Sequence, residues 1–188
     1  NLTLQTPDSK LGDYYAMSYN SFKKDMGSFI HSVTLEAHFK ESVLTSDDLA
    51  LFAPQLKTWN RTFYLEGDAL GSIDNFSIKK MKIKSGSGLV EGDLTMRGLP
   101  DINNTYIDFT ANNLNTNYRE LATIIPSLKN VTGVKVSEIG NVNFKGNFTG
   151  FTRDFVAYGK INTSLGLVDL DVNMKIPTNG LSSYSGII

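Results

Sequence analysis

The chain has no cysteine, which excludes a disulfide framework and every zinc site built on thiolates. It has almost no net charge. Lysine and arginine total 18 against 19 acids, a balance of −1, so the usual electrostatic case for a nucleic acid or an anionic membrane surface is missing. Long apolar runs are missing too: none approaches the ~20 residues that cross a bilayer as a helix, and no signal peptide opens the sequence. Only two histidines occur, His31 and His38. The Asn-x-Ser/Thr patterns at Asn1, Asn60, Asn103, Asn130, Asn147 and Asn162 are of the kind that a chain rich in Asn and Thr produces by chance.

What is present is a period of two. Val33, Leu35, Ala37 and Phe39 alternate with Thr34, Glu36, His38 and Lys40, and Val142, Phe144, Gly146 and Phe148 alternate with Asn143, Lys145 and Asn147. The same pattern predicts strands at 62–68, 75–84, 89–97, 105–111, 155–163 and 167–176. Turn signals between them fall at Gly67-Asp68 to Gly71-Ser72, Ser85–Gly88, Pro100-Asp101 and Thr149-Gly150. Each strand has one apolar and one polar face, as in antiparallel sheets with one solvated side.

Two segments break the alternation. Thr45 followed by Asp47 and Asp48 predicts a short helix over 46–53. Asn117 followed three places later by Glu120 predicts another over 117–125. Prolines follow both, Pro54 and Pro126, at an offset of 72. A second echo links Gly88-Leu-Val-Glu-Gly-Asp-Leu-Thr-Met96 to Gly166-Leu-Val-Asp-Leu-Asp-Val-Asn-Met174, 78 positions later. A module is therefore repeated, and one module cannot bury its apolar face alone. The expected organisation is N-terminal strands of a preceding repeat at 1–32, one repeat at 33–104, a second at 105–178, and the start of a further one at 179–188. Both ends read as cut points in a longer protein.

Site chemistry is sparse. Seven residues apart along a strand, the two histidines are expected to point to opposite faces, so no shared metal is expected. Asp47 and Asp48 suit a helix start, and Asp169 and Asp171 alternate on a polar strand face. No metal, cofactor or catalytic group is expected, and the chain does not read as an enzyme.

The repeated stretches Asn143-Phe-Lys-Gly-Asn-Phe-Thr-Gly-Phe-Thr-Arg-Asp-Phe155, Gly159-Lys-Ile-Asn-Thr-Ser-Leu-Gly166 and Asp169-Leu-Asp-Val-Asn-Met174 resemble the AsmA-like proteins. Within these they are most similar to the TamB (translocation and assembly module) family of Gram-negative bacteria, in its Bacteroidetes form. Tyr184-Ser-Gly186 looks like the start of another such repeat. The resemblance implies a mainly β fold: an elongated, curled antiparallel sheet, a β-taco or groove built from repeats, here with two short helices. It also implies a periplasmic bridge in a parent protein anchored to the inner membrane. Such a bridge carries phospholipid between the inner and outer membranes, supports outer-membrane protein assembly and works with an Omp85-type barrel through parts outside this chain.

The lining expected for such a groove is Val33, Leu35, Phe39, Phe63, Leu65, Phe76, Ile78, Val90, Leu94, Met96, Ile107, Phe109, Val142, Phe144, Phe148, Val168, Leu170, Val172 and Met174. The competing expectation is a β-sandwich binding or adhesion module, with Tyr14, Tyr15, Tyr19, Trp59, Tyr64 and Tyr158 as a platform for a glycan or protein. Gly92 stands where the second copy has Leu170, which predicts a bulge or a close backbone approach at Gly92.

Overall fold

The computed structural model describes residues 4–50, 54–120, 138–177, 179 and 181–187. The described residues form one antiparallel sheet of 12 strands that does not close into a barrel. Two short strands, β1 (Leu4–Gln5) and β2 (Lys10–Leu11), and the longer β3 (Asp13–Ser18) lead into β4 (Thr34–Thr45). A meander follows: β5 (Thr62–Ser72), β6 (Asn75–Ser85), β7 (Gly88–Arg97), β8 (Tyr106–Asn117), β9 (Asn141–Phe151), β10 (Asp154–Thr163), β11 (Gly166–Lys175) and β12 (Ser183–Ile187). From β4 onward each strand pairs with the next in sequence. The architecture is thus a single curled sheet and not two sheets packed face to face.

The period-two stretches all became strands, and most extend past their predicted ends. Two turn assignments need correction. Gly67 and Gly71 lie inside β5, and Gly150 lies inside β9; the reversals come later, at Ile73-Asp74 and Thr152-Arg153. Glycine serves there as a close-approach residue: a Cβ on Gly71 would stand 2.2 Å from the Asn75 carbonyl oxygen. The segment expected to hold only strands, 1–32, also contains helical turns. These are α1 (Phe22–Asp25), a 3₁₀ turn at Met26–Ser28 and α2 (Phe29–Ser32).

The two expected helices begin where their caps were read. Thr45 Oγ1 accepts from the Asp48 amide at the start of α3 (Ser46–Leu49), and Asn117 Oδ1 accepts from the Glu120 amide as a helix opens at Tyr118. Residues 51–53 and 121–125 of these helices lie outside the described residues. Pro54 opens a 3₁₀ segment, Pro54–Trp59.

Register explains the curl. Paired residues of adjacent strands share a face, so the ladders define rows that run across the sheet. Shifts of register occur between Phe39 and Ser42, Glu66 and Asp68, Ile78 and Met81, Glu91 and Gly92, and Ala111 and Leu114. These five irregularities sit in five successive strand pairs and fall on one line. A bulge bends its strand and sharpens the local twist, so a file of them creases the sheet. Two bulge residues, Glu41 and Lys80, take positive φ near 50° without being glycine, a conformation costing about 1 kcal/mol or more. At the second, Asp93 compensates: its carboxylate accepts from the Lys80 amide at 2.9 Å and from Lys79 Nζ at 3.1 Å. The amide bond, followed by the lysine, holds the Asp93 carboxyl below its ordinary range.

The crease has a floor rich in glycine and alanine. Its row reads Phe39, Gly67, Met81, Gly92, Ala111, Gly146, Gly159, Leu170. At Gly92 a Cβ would lie 1.9 Å from the Thr110 carbonyl oxygen. The close approach expected at that position is present, together with the bulge.

Candidate functional site

The rows on either side of the crease are apolar. One runs Leu35, Gly71, Phe76, Met96, Ile107, Gly150, Phe155, Met174, Tyr184; the next runs Ala37, Ala69, Ile78, Leu94, Phe109, Phe148, Ala157, Val172. Beyond the crease come Leu65, Ile83, Val90, Leu114, Phe144, Ile161 and Val168, then Leu44, Phe63, Thr116 and Val142. Every expected lining residue that sits in a strand is therefore on one face. Val33, the remaining one, precedes β4 and is fully buried at 0% exposure. The two copies of the repeated nonapeptide fall on equivalent rows: Val90 with Val168, Gly92 with Leu170, Leu94 with Val172, Met96 with Met174.

This face is the inner one. Among the described residues the buried apolar side chains of the strands (Ala37, Met81, Ala111, Ala157 and Val172) all belong to it, while Tyr64, Leu70, Val156, Tyr158 and Leu167 of the opposite face are exposed. Large inner residues such as Leu35, Phe63, Phe76, Phe144 and Phe155 are only half-buried. No second sheet among the described residues covers them, and the creased sheet leaves an apolar trough.

Aromatic rings fill part of the trough. The Phe148 and Phe155 rings stack with centroids 4.8 Å apart. Phe144 reaches over Gly146, whose Cβ position lies 2.8 Å from its ring tip. Two of the concavities among the described residues lie on the inner face. One, of about 180 Å³, lies between Tyr15, Leu35, Phe39, Phe76 and Ile78. Burial in this wall pushes the Tyr15 hydroxyl pKa up. The other, of about 170 Å³, lies between Phe63, Ile83, Leu89, Val90 and Leu114 on the far wall.

No family model, curated protein or solved structure matches the chain.

The outer face is polar and paired. His38 Nδ1 meets Asp68 at 2.7 Å, Lys82 meets Glu91 at 3.2 Å, and Lys160 meets Asp169 at 2.5 Å. Asn113 donates to Glu91, and Asn143 donates to both Asn113 and Asn115. The Asn113 bond is the first cause of a lowered Glu91 pKa, with the lysine second. The tyrosine platform does not assemble: Tyr14, Tyr64 and Tyr158 stand on separate strands outside, Tyr15 points inward beside Ala37, and Trp59 packs on inner Phe63.

The two histidines do not share a strand: His31 lies in α2 beside Asp74, and His38 lies on β4 beside Asp68. Among the described residues no group of three His, Asp or Glu could hold a metal ion. No helix among the described residues is long and apolar enough to cross a membrane.

Sequence reasoning missed Met81, Ile83, Leu114, Phe155 and Ile161, which share the inner face. Phe155 and Ile161 were legible from alternation alone. Met81, Ile83 and Leu114 follow bulges, and each bulge reverses the parity on which such counting depends.

Proposed function

We propose that the chain is a segment of a periplasmic TamB-like, AsmA-like protein whose apolar trough carries phospholipid acyl chains between the inner and outer membranes. The observation that supports this most is the continuous half-exposed apolar face along one side of an unclosed sheet. From β4 to β12 nine strands share it. At ~4.8 Å per strand that is a wall about 38 Å long. An acyl chain gains about 0.8 kcal/mol per methylene removed from water, wherever on the wall it lies. Uniform attraction without a deep well permits sliding, and such transport assigns no catalytic residue and no cofactor. A parent protein would add the membrane anchor and the contact with an outer-membrane barrel of Omp85 type.

A single test uses Phe144→Asp. Phe144 stands on the inner face of β9 next to the crease. Phospholipid is expected to copurify with the wild-type chain in mass spectrometry and to fall at least several-fold with a charge at 144. Lipid retained in full by a folded Phe144→Asp protein would count against the trough as carrier. The second reading, a module that binds a glycan or protein, draws support from the exposed outer tyrosines Tyr64 and Tyr158. Their separation on β5 and β10 is why it ranks second.

A further inference from the structure

The far-wall concavity is apolar except at its rim. Of the residues that line it, Arg61 and Glu120 are the charged ones, and they pair with each other through Arg61 Nη1 and the Glu120 carboxylate. The pair is unlike the surface pairs outside. Its side chains are 16% and 18% exposed, against 65% and 70% for Lys160 and Asp169. Both partners are held from behind. The Arg61 amide donates to Ser46 Oγ at 2.9 Å, and its carbonyl accepts from the Ser46 amide at 2.8 Å. Glu120 is fixed by its own amide, which donates to Asn117. The pair thus spans from the start of β5 to the end of β8, across the β6–β7 turn, where a Cβ on Gly86 would lie 3.0 Å from Glu120 Oε1.

A second, independent feature lies in the same concavity. Ser85, at the end of β6, has a buried hydroxyl with no hydrogen-bond partner among the described residues. A buried hydroxyl left unpaired is uncommon in folded proteins, and this one lines the apolar concavity beside the ion pair. The site therefore offers a cation, an anion and a free hydroxyl at the edge of an apolar pocket of about 170 Å³.

We propose that this rim is a headgroup subsite for a zwitterionic phospholipid. The inference rests on the trough reading above and goes beyond it by naming the lipid's charge class. The phosphate lies on the Arg61 guanidinium, the ammonium on the Glu120 carboxylate, and an ester oxygen accepts from Ser85; the first methylenes cover Phe63, Ile83 and Val90. Charge complementarity selects the class. A zwitterion replaces each half of the ion pair with an equivalent contact, so neither charge is left unpaired. An anionic headgroup would take Arg61 and leave Glu120 half-buried without a partner, which is strongly unfavourable.

The test measures competitive uptake of fluorescent-tailed phosphatidylethanolamine and phosphatidylglycerol from vesicles by the wild-type chain and by two charge-removing variants. The wild type is expected to prefer phosphatidylethanolamine, by about three- to tenfold for one half-buried charge contact. Glu120→Gln leaves the site positive and is expected to move the preference toward phosphatidylglycerol. Arg61→Gln leaves it negative and is expected to exclude phosphatidylglycerol further. Opposite shifts are the signature, since a pair that merely clasps two elements would change uptake in the same direction in both variants. Arg61→Lys and Glu120→Asp keep each charge and are expected to keep the wild-type preference.

Uptake of both lipids without preference, or shifts of one sign, overturns the subsite and leaves the trough standing. Loss of preference in the two charge-conserving variants, if they fold, overturns it as well. No uptake of either lipid by the wild type overturns the trough reading and the subsite with it.

Discussion

At the scale of single residues, the acids in the repeated nonapeptide have different work in their two settings. Asp93 accepts the amide that the bulge at Lys80 frees from the ladder. Its counterpart Asp171 lies on β11, whose pairing with β10 is regular, and has no such amide to satisfy. Asp93→Ala is expected to destabilise the fold by about 1 kcal/mol, the net worth of one hydrogen bond, and Asp171→Ala by less. Urea titration of both variants checks the ranking. Because the Asp93 pKa is lowered on folding, its contribution is full above the ordinary carboxylate range and is lost as pH falls through the lowered value. The acid limb of the stability profile should therefore flatten in Asp93→Ala.

The repeat's one informative mismatch, Gly92 against Leu170, was legible in the sequence as a place of unusual backbone. The physical reason was not, because only the register shows Thr110 behind it. Gly92→Leu imports the residue of the second copy where a Cβ would overlap a carbonyl oxygen at 1.9 Å. A loss of more than about 3 kcal/mol is expected, the range of strain and overpacking effects. Calorimetry showing a near-wild-type melting temperature would contradict the crease as described.

At the scale of elements, alternation located every long strand and failed at two kinds of place. Glycine in β5 and β9 looked like punctuation because turns and close approaches ask for the same residue. The helical turns at Phe22–Ser32 were not seen because each is only one turn long and Gly27 interrupts them, so no 3.6-residue period can develop. They are held at the β5–β6 reversal by Asp74. Its carboxylate meets His31 Nδ1 at 2.7 Å and accepts from Ser72 at 2.6 Å, and its amide donates to the Ile30 carbonyl at 3.3 Å. The His31 bond is the first cause of a lowered Asp74 pKa. That contribution is present above the ordinary carboxylate range and fades as pH drops through the lowered value. Asp74→Asn should raise amide exchange across 22–32 while leaving β7–β10 protected. Uniform loss of protection across the whole sheet would show that the segment is not a separable unit.

At the scale of the whole molecule, the sequence carried the inner face almost complete, since alternation decides facing within a strand. It could not say whether that face was closed. A sandwich and a trough need the same alternating strands, and they differ only in whether a second sheet covers the first. The difference lies in the file of bulges from Phe39 to Leu114 and the small residues along it, which fold one sheet instead of stacking two. Single-residue irregularities of this kind carry little signal beside the strands that contain them.

Carriage in the trough requires lipid to contact one face of this sheet and not the other, and β9 separates the two within a single strand. A photoreactive side chain at Phe144 or Phe148 would sit in the trough; one at Lys145 or Asn147 would point outward. After illumination in vesicles containing phospholipid, mass spectrometry should find lipid adducts at 144 and 148 and only background at 145 and 147. Equal labelling at inner and outer positions, or none at 144 and 148 in a folded protein, would contradict the account.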